Sequence, residues 1–380
     1  MNGVFFRDQA IALHEYGHNI GIISAHSHSL KTIINKRKLV TNFEVDEGVS
    51  TFRKSFIPAL PAIPYGNYLL WRYTTRKLFK EYVKRFGFPE IIHAHSALYA
   101  GKVASELGSE HDIPVVLTEH STAFARNLYQ EWQLKLITQA VNTVSCCIAV
   151  SPSLGSLLSQ QLQTASVHWH WVPNVVSKRF DKAVCQKKND RKGRPVRLLN
   201  LALMTEKKGQ IDLLKAFAAA FTDQAPVELW LGGDGPLRPT LEQLSQELGI
   251  CDRVRFLGLV PPESVPVLMS EVDVMVLPSH YETFGVVAAE ALMVGLPVIA
   301  TRCGGPECIV GPNDGFLIEP HQPEQLVQAL KEIVKKLQLY SRTELSARAH
   351  ARFSGLVVAE QLTKIYHNTL QSKNNKGIKL

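Results

Sequence analysis

The 380-residue sequence predicts an α/β fold of two domains, on three observations. Short apolar strands end in polar or glycine-bearing turns. One strand, helix and strand follow one another at the spacing of a parallel crossover unit. A polar, basic stretch at 182–197 divides the chain into parts of roughly 180 and 185 residues, each of ordinary domain size.

Taken in chain order, Glu90-Ile91-Ile92-His93-Ala94-His95 and Val115-Val116-Leu117-Thr118-Glu119-His120 read as strands ending in polar residues. His93 and His95 alternate along the first, so only one of them is expected to face the ligand side. Residues 182–197 are rich in Lys, Arg, Gly, Asn and Asp, and read as an exposed linker. Val227-Glu228-Leu229-Trp230-Leu231 is a further strand, and Gly232-Gly233-Asp234-Gly235-Pro236 turns out of it. A G-x-G-x-x-G fingerprint would need a third glycine where Arg238 stands, with Pro239 behind it, so a nicotinamide site is poorly supported.

The run Val272-Asp273-Val274-Met275-Val276-Leu277 is apolar and β-branched, and Pro278-Ser279 ends it, as in a buried strand. A helix is predicted from about Phe284, stopped by Gly295 and Pro297, and Pro297-Val298-Ile299-Ala300-Thr301 is the next strand. Ligands of such units lie at the carboxyl ends of the strands. Residues 349–353 and 357–366 carry a helical pattern, and the polar tail 373–380 reads as frayed.

Hydrophobic residues make up 45% and charged residues 20% of the chain, enough to bury two cores. No apolar run approaches the ~20 residues of a membrane span, and the first residues lack a signal peptide's basic start and apolar core. A cytoplasmic location is expected. Cys146, Cys147, Cys185, Cys251, Cys303 and Cys308 show no metal or disulfide spacing and read as thiols of a reducing compartment. Zinc is not expected, because the paired histidines (His93 and His95, His26 and His28, His168 and His170) lack a third ligand at suitable spacing.

The net charge of +8 is concentrated. Between Phe52 and Phe88, eight basic residues (Arg53, Lys54, Arg72, Arg76, Lys77, Lys80, Lys84 and Arg85) face the single acid Glu81, interleaved with Tyr65, Tyr68, Trp71, Tyr73, Phe79, Tyr82 and Phe86. Such a surface suits peripheral contact with anionic membrane, or is a solvated helix face over core aromatics. Nucleic acid is not expected, since no recognition motif accompanies the charge.

The chemistry concentrates in Ser279-His280-Tyr281-Glu282-Thr283-Phe284-Gly285-Val286-Val287-Ala288-Ala289-Glu290. Backbone N–H groups at Phe284, Gly285 and Val286 have no intrahelical partner in a first turn and carry the positive end of the helix dipole, so a diphosphate is a natural guest. Carboxylates accept hydrogen bonds from hydroxyls. Eight helical residues would rise roughly 12 Å, so the two carboxylates could hold hydroxyls on either side of that diphosphate, a sugar at one end and a ribose at the other. Without a ligand this would be a surface helix with two unrelated glutamates, which explains neither the glycines nor the preceding strand.

This segment, with Gly304-Gly305-Pro306-Glu307 after it, resembles the signature of the family 4 retaining glycosyltransferases. The resemblance implies the GT-B fold, with two Rossmann-like doubly wound domains facing a cleft that holds the active site. It implies an N-terminal acceptor domain at 1–177, a linker at 178–196, a nucleotide-sugar donor domain at 197–355, and a last helix at 356–380 packing back on the first domain. Glu282 would contact the donor sugar and Glu290 the ribose. Met204-Thr205-Glu206-Lys207-Lys208-Gly209 resembles the family's diphosphate loop, with Lys208 as its lysine. The family often has an arginine five positions earlier, where this chain has Leu203, and Lys207 or Arg302 could substitute. Gly233 and Gly235 match the family's glycine-rich loop, and the strand ending at Gly258 its base pocket. His120 matches a histidine near the donor sugar, and Gly304 and Gly305 leave room beside that sugar. Val172-Pro173-Asn174-Val175-Val176, with Phe180, resembles the segment that leaves the first domain.

One feature departs from the family. Gly3-Val4-Phe5-Phe6-Arg7-Asp8-Gln9-Ala10-Ile11-Ala12-Leu13 resembles the family's first helix, with Gly17-His18 at its end, yet no strand precedes it. The first strand of the N-terminal domain is thus missing from the sequence pattern. Loss of a central parallel strand would leave two neighbouring edges unpaired, so the authentic start is expected upstream of Met1. A chain that began here would be expected to have poor stability and doubtful activity.

The resemblance implies transfer of a sugar from a nucleoside diphosphate sugar to an acceptor hydroxyl with retention, in polysaccharide, lipopolysaccharide or glycolipid assembly, using a glycan or lipid-linked acceptor. No cofactor or metal is expected if protein groups hold the diphosphate. A nucleotide-sugar epimerase and a noncatalytic sugar-nucleotide binding protein are the rival readings.

Overall fold

The computed structural model describes residues 4–27, 41–57, 65–164, 166–181, 193–222 and 225–377. The chain forms two units: Met1–Pro173 with Gly355–Leu380, and Asn174–Ser354. The predicted linker falls largely on 182–192, which with His28 and Cys185 lies outside the described residues.

The first unit runs α1 (Val4–Glu15), β1 (Gly21–Ser27), β2 (Thr41–Asp46), β3 (Val49–Phe56), α2 (Gly66–Phe86), β4 (Ile92–His95), α3 (Lys102–His111), β5 (Val115–Glu119), α4 (Glu131–Thr143), β6 (Cys146–Ala149), α5 (Pro152–Gln161) and β7 (Trp169–Trp171), and takes in the C-terminal helix Gly355–Gly377. Strands β4, β5, β6 and β7 pair in that order, all parallel. A second sheet has the order β1-β3-β2. Among the described residues no strand pairs with the outer edge of β1 or β4, and the two sheets stay separate. All five residues of β5 are buried, as expected of a parallel strand covered on both faces. Helix α5 starts where it does because Ser151 accepts a hydrogen bond from Leu154 N at 3.2 Å, with Pro152 at the first helical position. The C-terminal helix is bonded to the rest of this unit through Thr363 Oγ1, 2.7 Å from His18 Nε2, and Tyr366 Oη, 2.6 Å from His93 Nδ1.

The second unit contains β8 (Val196–Leu201), α6 (Gln210–Ala220), β9 (Val227–Gly232), α7 (Arg238–Glu247), β10 (Val254–Gly258), α8 (Val265–Ser270), β11 (Val274–Leu277), α9 (Val286–Met293), β12 (Val298–Thr301), β13 (Gly315–Ile318), α10 (Pro323–Lys335) and α11 (Arg342–Phe353). Its six strands are all parallel in the order β10-β9-β8-β11-β12-β13. This is the doubly wound order, and the winding reverses between β8 and β11. Leu198, Leu229, Leu231, Val274, Val276 and Ile299 from the strands share one core with Leu213, Leu214 and Phe217 of α6 and Leu330 and Ile333 of α10. Truncating any one of these leucines to Ala should cost about 2–5 kcal/mol. Arg194 ties the amino ends of β8 and β11 together by donating two hydrogen bonds to Asp273, of 2.7 and 2.9 Å.

The expected elements are present with displaced ends. The strand predicted from Val272 begins at Val274, and the helix predicted from Phe284 begins at Val286. The second shift has a local cause: Gly285 has φ +87, a left-handed conformation that cannot continue a right-handed helix.

Candidate functional site

Two loops emerge side by side at the carboxyl ends of β8 and β11, where the topology reverses. In the first, a short helical turn at Glu206–Lys208 ends at Gly209, with φ +66. A Cβ there would stand 2.0 Å from the carbonyl oxygen of Pro278, so only glycine lets this loop lie against the second. His280 N donates to Lys207 O at 2.8 Å and closes the contact. The result is an ion pair: Lys208 Nζ lies 2.5 Å from Glu282 Oε1, and Ser279 Oγ donates to the same oxygen at 2.8 Å. Glu282 is only 8% exposed. Among the described residues both of these bonds fall on Oε1, which leaves Oε2 as an acceptor for a ligand hydroxyl.

Behind this pair, Glu282 bridges to Gly304, with Glu282 N donating to Cys303 O at 3.3 Å. Phe284 is buried against Phe353, ring centroids 5.9 Å apart. Among the described residues no backbone hydrogen bond is donated by the N–H groups of Phe284, Gly285, Val286 or Val287, so the amino end of α9 offers donors beside the lysine. Gly305 packs directly on the Phe284 backbone, and Gly304 N is held by both carboxylate oxygens of Glu307, at 2.9 and 3.0 Å. Glu290 is half-buried on α9. The expected eight-residue helical rise between Glu282 and Glu290 is corrected, because only the part from Val286 is helical and spans roughly 6 Å.

The remaining predicted donor residues lie on neighbouring loops of the same unit. Gly233 N donates to Gly258 O at 2.7 Å, joining the turns after β9 and β10, and Gly235 N is held by Asp234 Oδ1 at 2.7 Å. Leu203 is 56% exposed, so the position of the family arginine carries no buried cation. Arg302 pairs with Glu319 at 3.4 Å.

In the first unit, His120 follows β5. Its Nε2 is 3.0 Å from His95 Nδ1, and Phe5 and Phe6 pack on it at 5.1 and 4.9 Å. The expectation that only one of His93 and His95 faces the ligand side is overturned. Residues two apart on a strand share a face, and these rings stack at 4.5 Å. His93 is bonded to Thr118 and Tyr366. Burial pushes His95 down to about 4 and His93 well below its ordinary range. Nothing in the sequence marks Glu119, which is fully buried and accepts from the N–H groups of Ala97, His120 and Ser121 at 2.7–2.8 Å. Burial raises its carboxyl against those three bonds. A groove of about 550 Å³ near Ser105, Val115, Ser145 and Thr369 lies at the amino ends of β5 and β6, the opposite end from His120.

Of the eight basic residues between Phe52 and Phe88, Arg72 and Arg76 bond Glu106 or Glu110 on α3, Arg53 bonds Glu44, and Arg85 covers Phe43 at 4.1 Å. Leu69, Tyr73, Lys77, Lys80 and Lys84 are exposed along α2. Among the described residues no helix is long and apolar enough to cross a membrane. Burial raises the thiols of Cys147, Cys303 and Cys308 to about 12, which disfavours their thiolate forms.

Two families match the chain: "Glycosyltransferase Family 4" over residues 3–179 and "Glycosyl transferases group 1" over residues 181–350. The chain is 30% identical over 312 residues to a D-inositol 3-phosphate glycosyltransferase of Corynebacterium glutamicum, covering 76% of this chain and 74% of that one. It is 27% identical to the putative teichuronic acid biosynthesis glycosyltransferase TuaC of Bacillus subtilis, over 86% and 84% of the two chains. Among solved structures, sucrose-phosphate synthase from Thermosynechococcus elongatus superposes with TM-score 0.76 at 23% identity, covering 97% of this chain and 93% of that one. Anabaena HepE, solved with UDP and glucose, gives TM-score 0.69 at 19% identity over 96% and 95%.

Proposed function

This chain belongs to family 4 of the glycosyltransferases and has their GT-B fold, and from that premise we propose that it moves a sugar, with retention, from a nucleoside diphosphate sugar to the hydroxyl of a glycan or lipid-linked acceptor. The observation that carries the donor half is the Lys208–Glu282 pair at the amino end of α9. An ammonium has three donors, so Lys208 can keep Glu282 and still reach a phosphate oxygen. The N–H groups of Phe284, Gly285 and Val286 would take the other charged oxygens. As the bond to the sugar breaks, negative charge grows on the leaving phosphate. Fixed donors aimed at that charge accelerate the step without reorganising.

Glu282 Oε2 would accept from sugar hydroxyls and Glu290 from the ribose. Lys207, Gly233, Gly235 and Gly258 would border the nucleotide, and Gly304 and Gly305 the sugar. The resemblance assigns His120 to the sugar's surroundings, and the buried Glu119 would hold its loop in place. The relatives named for inositol 3-phosphate glycosyl transfer and for teichuronic acid biosynthesis support an acceptor rich in hydroxyls. The exposed Leu69, Tyr73, Lys77, Lys80 and Lys84 along α2 would suit contact with an anionic membrane that presents it.

A thermal-shift panel of UDP, GDP, ADP and their sugars tests the proposal directly. One nucleotide series should raise the melting temperature, and Glu290→Ala should abolish its advantage over the 2′,3′-dideoxy analogue. Unchanged discrimination by that variant would remove the ribose assignment, and a flat panel would remove the donor site.

A further inference from the structure

One helix start and two loops at the carboxyl edge of the second unit's sheet bring together Asp212, in the first turn of α6, His280, after β11, and His321, between β13 and α10. The His280 Nε2 and Asp212 Oδ2 atoms are 2.8 Å apart, and the rings of His280 and His321 stand 4.1 Å apart, centroid to centroid, inclined at 42°. One ligand atom from each residue lies within 4.8 Å of the other two. Two imidazoles and a carboxylate at such separations form the donor set of a borderline transition ion, with positions left for water. Magnesium and calcium favour oxygen ligands and are poorly served.

His321 has φ +57, in the left-handed region that histidine tolerates better than most non-glycine residues. The side chains of His280 and Asp212 are 28% and 40% exposed, so an ion can reach them.

We propose that Asp212, His280 and His321 bind one divalent transition-metal ion of the zinc class. The ion ties the loop bearing Lys207 and Lys208 to the loop bearing Ser279 and Glu282, since Asp212 lies four positions after Lys208 and His280 two before Glu282. It is a clamp on loop geometry and takes no part in bond making. Spacing along the sequence could not show it, because the ligands stand at 212, 280 and 321, on a helix start and two separate loops. The site stands whether or not the donor assignment does.

The test uses the untagged full chain, stripped with a chelator and titrated with Zn²⁺, Co²⁺ and Mg²⁺. One equivalent of Zn²⁺ should bind with micromolar or tighter affinity and raise the melting temperature by a few degrees. Co²⁺ should give the visible absorption of a low-symmetry, nitrogen-ligated site, and Mg²⁺ should do neither. His321→Asn removes the imidazole while suiting the left-handed backbone, so it should fold at least as well and bind Zn²⁺ at least about tenfold more weakly. His168→Ala, on β7's approach in the other unit, should bind as the parent does. Equal Zn²⁺ affinity of His321→Asn and the parent would overturn the proposal, as would the absence of any saturable single equivalent.

Discussion

Lys208 and Glu282, 74 positions apart in the sequence, meet at 2.5 Å across the point where the winding of the second unit's sheet reverses. The pair is both a structural tie and the proposed grip on the donor, and the two roles separate on mutation. Lys208→Met leaves a carboxylate that is 8% exposed without its counter-charge, a loss of about 3–5 kcal/mol. Lys208→Met with Glu282→Gln removes both charges and should recover most of that stability in urea denaturation. Transfer by the double variant should remain about 100-fold or more below the parent, because the charge on the leaving phosphate is no longer met. A double variant no more stable than Lys208→Met would show that the two groups are not coupled.

Gly209→Ala tests the loop packing that creates the pair. The added Cβ would sit 2.0 Å from Pro278 O, at a backbone angle of φ +66. Gly249 has nearly the same angle, φ +67, and a Cβ added there would meet nothing within 4 Å. Gly249→Ala should therefore cost only the left-handed penalty, roughly 1–2 kcal/mol. Gly209→Ala should cost clearly more and weaken nucleotide binding as well. Equal melting temperatures for the two variants would mean that the close approach of the loops is not needed.

What the sequence disclosed follows from how local its signals are. The strand at Val274–Leu277, the stop at Gly295 and the two glutamates were legible because strand pattern, helix punctuation and motif all lie within some thirty residues. The start of α9 falls two residues later than the sequence predicts, since nothing in Thr283-Phe284-Gly285 announces that Gly285 turns left-handed. Glu119 gave no signal, because a carboxylate after a strand looks like any exposed polar terminus until three backbone N–H groups are seen to converge on it. The shared face of His93 and His95 follows from the two-residue period of a strand, against the expectation that they point apart. Asp212, His280 and His321 meet only through tertiary structure.

The buried histidines should make the first unit acid-sensitive. His95 titrates near 4 in the folded chain because of its burial, against about 6.5 when unfolded. The unfolded state therefore takes up a proton that the folded state refuses. Stability is complete above about pH 6.5, falls as the pH drops, and stops falling from this group near pH 4, a total of about 3 kcal/mol. His93, pushed down further, acts in the same direction. Glu119 acts the opposite way, since its raised carboxyl favours the folded state once protonated. Melts between pH 7 and 4.5 should show the decline, and His95→Asn should make it shallower, with the share of His93 remaining. A slope unchanged in that variant would place the acid sensitivity elsewhere.

The basic face of α2 makes the remaining prediction, and the ion pairs narrow it. Arg72 and Arg76 are already neutralised by Glu106 and Glu110, so they add little attraction for lipid. Lys77, Lys80 and Lys84 remain exposed beside Leu69 and Tyr73. At about 1 kcal/mol per basic residue near an anionic surface, these three lysines give binding that is weak, reversible and sensitive to salt. Sedimentation with vesicles containing phosphatidylserine should capture the chain at low ionic strength and release it as salt screens the charge. Changing all three lysines to Gln should abolish capture, while neutral vesicles should never show it. Arg72→Gln should change capture little, because that charge faces Glu106. Equal capture of the triple variant and the parent would move the membrane contact off this helix.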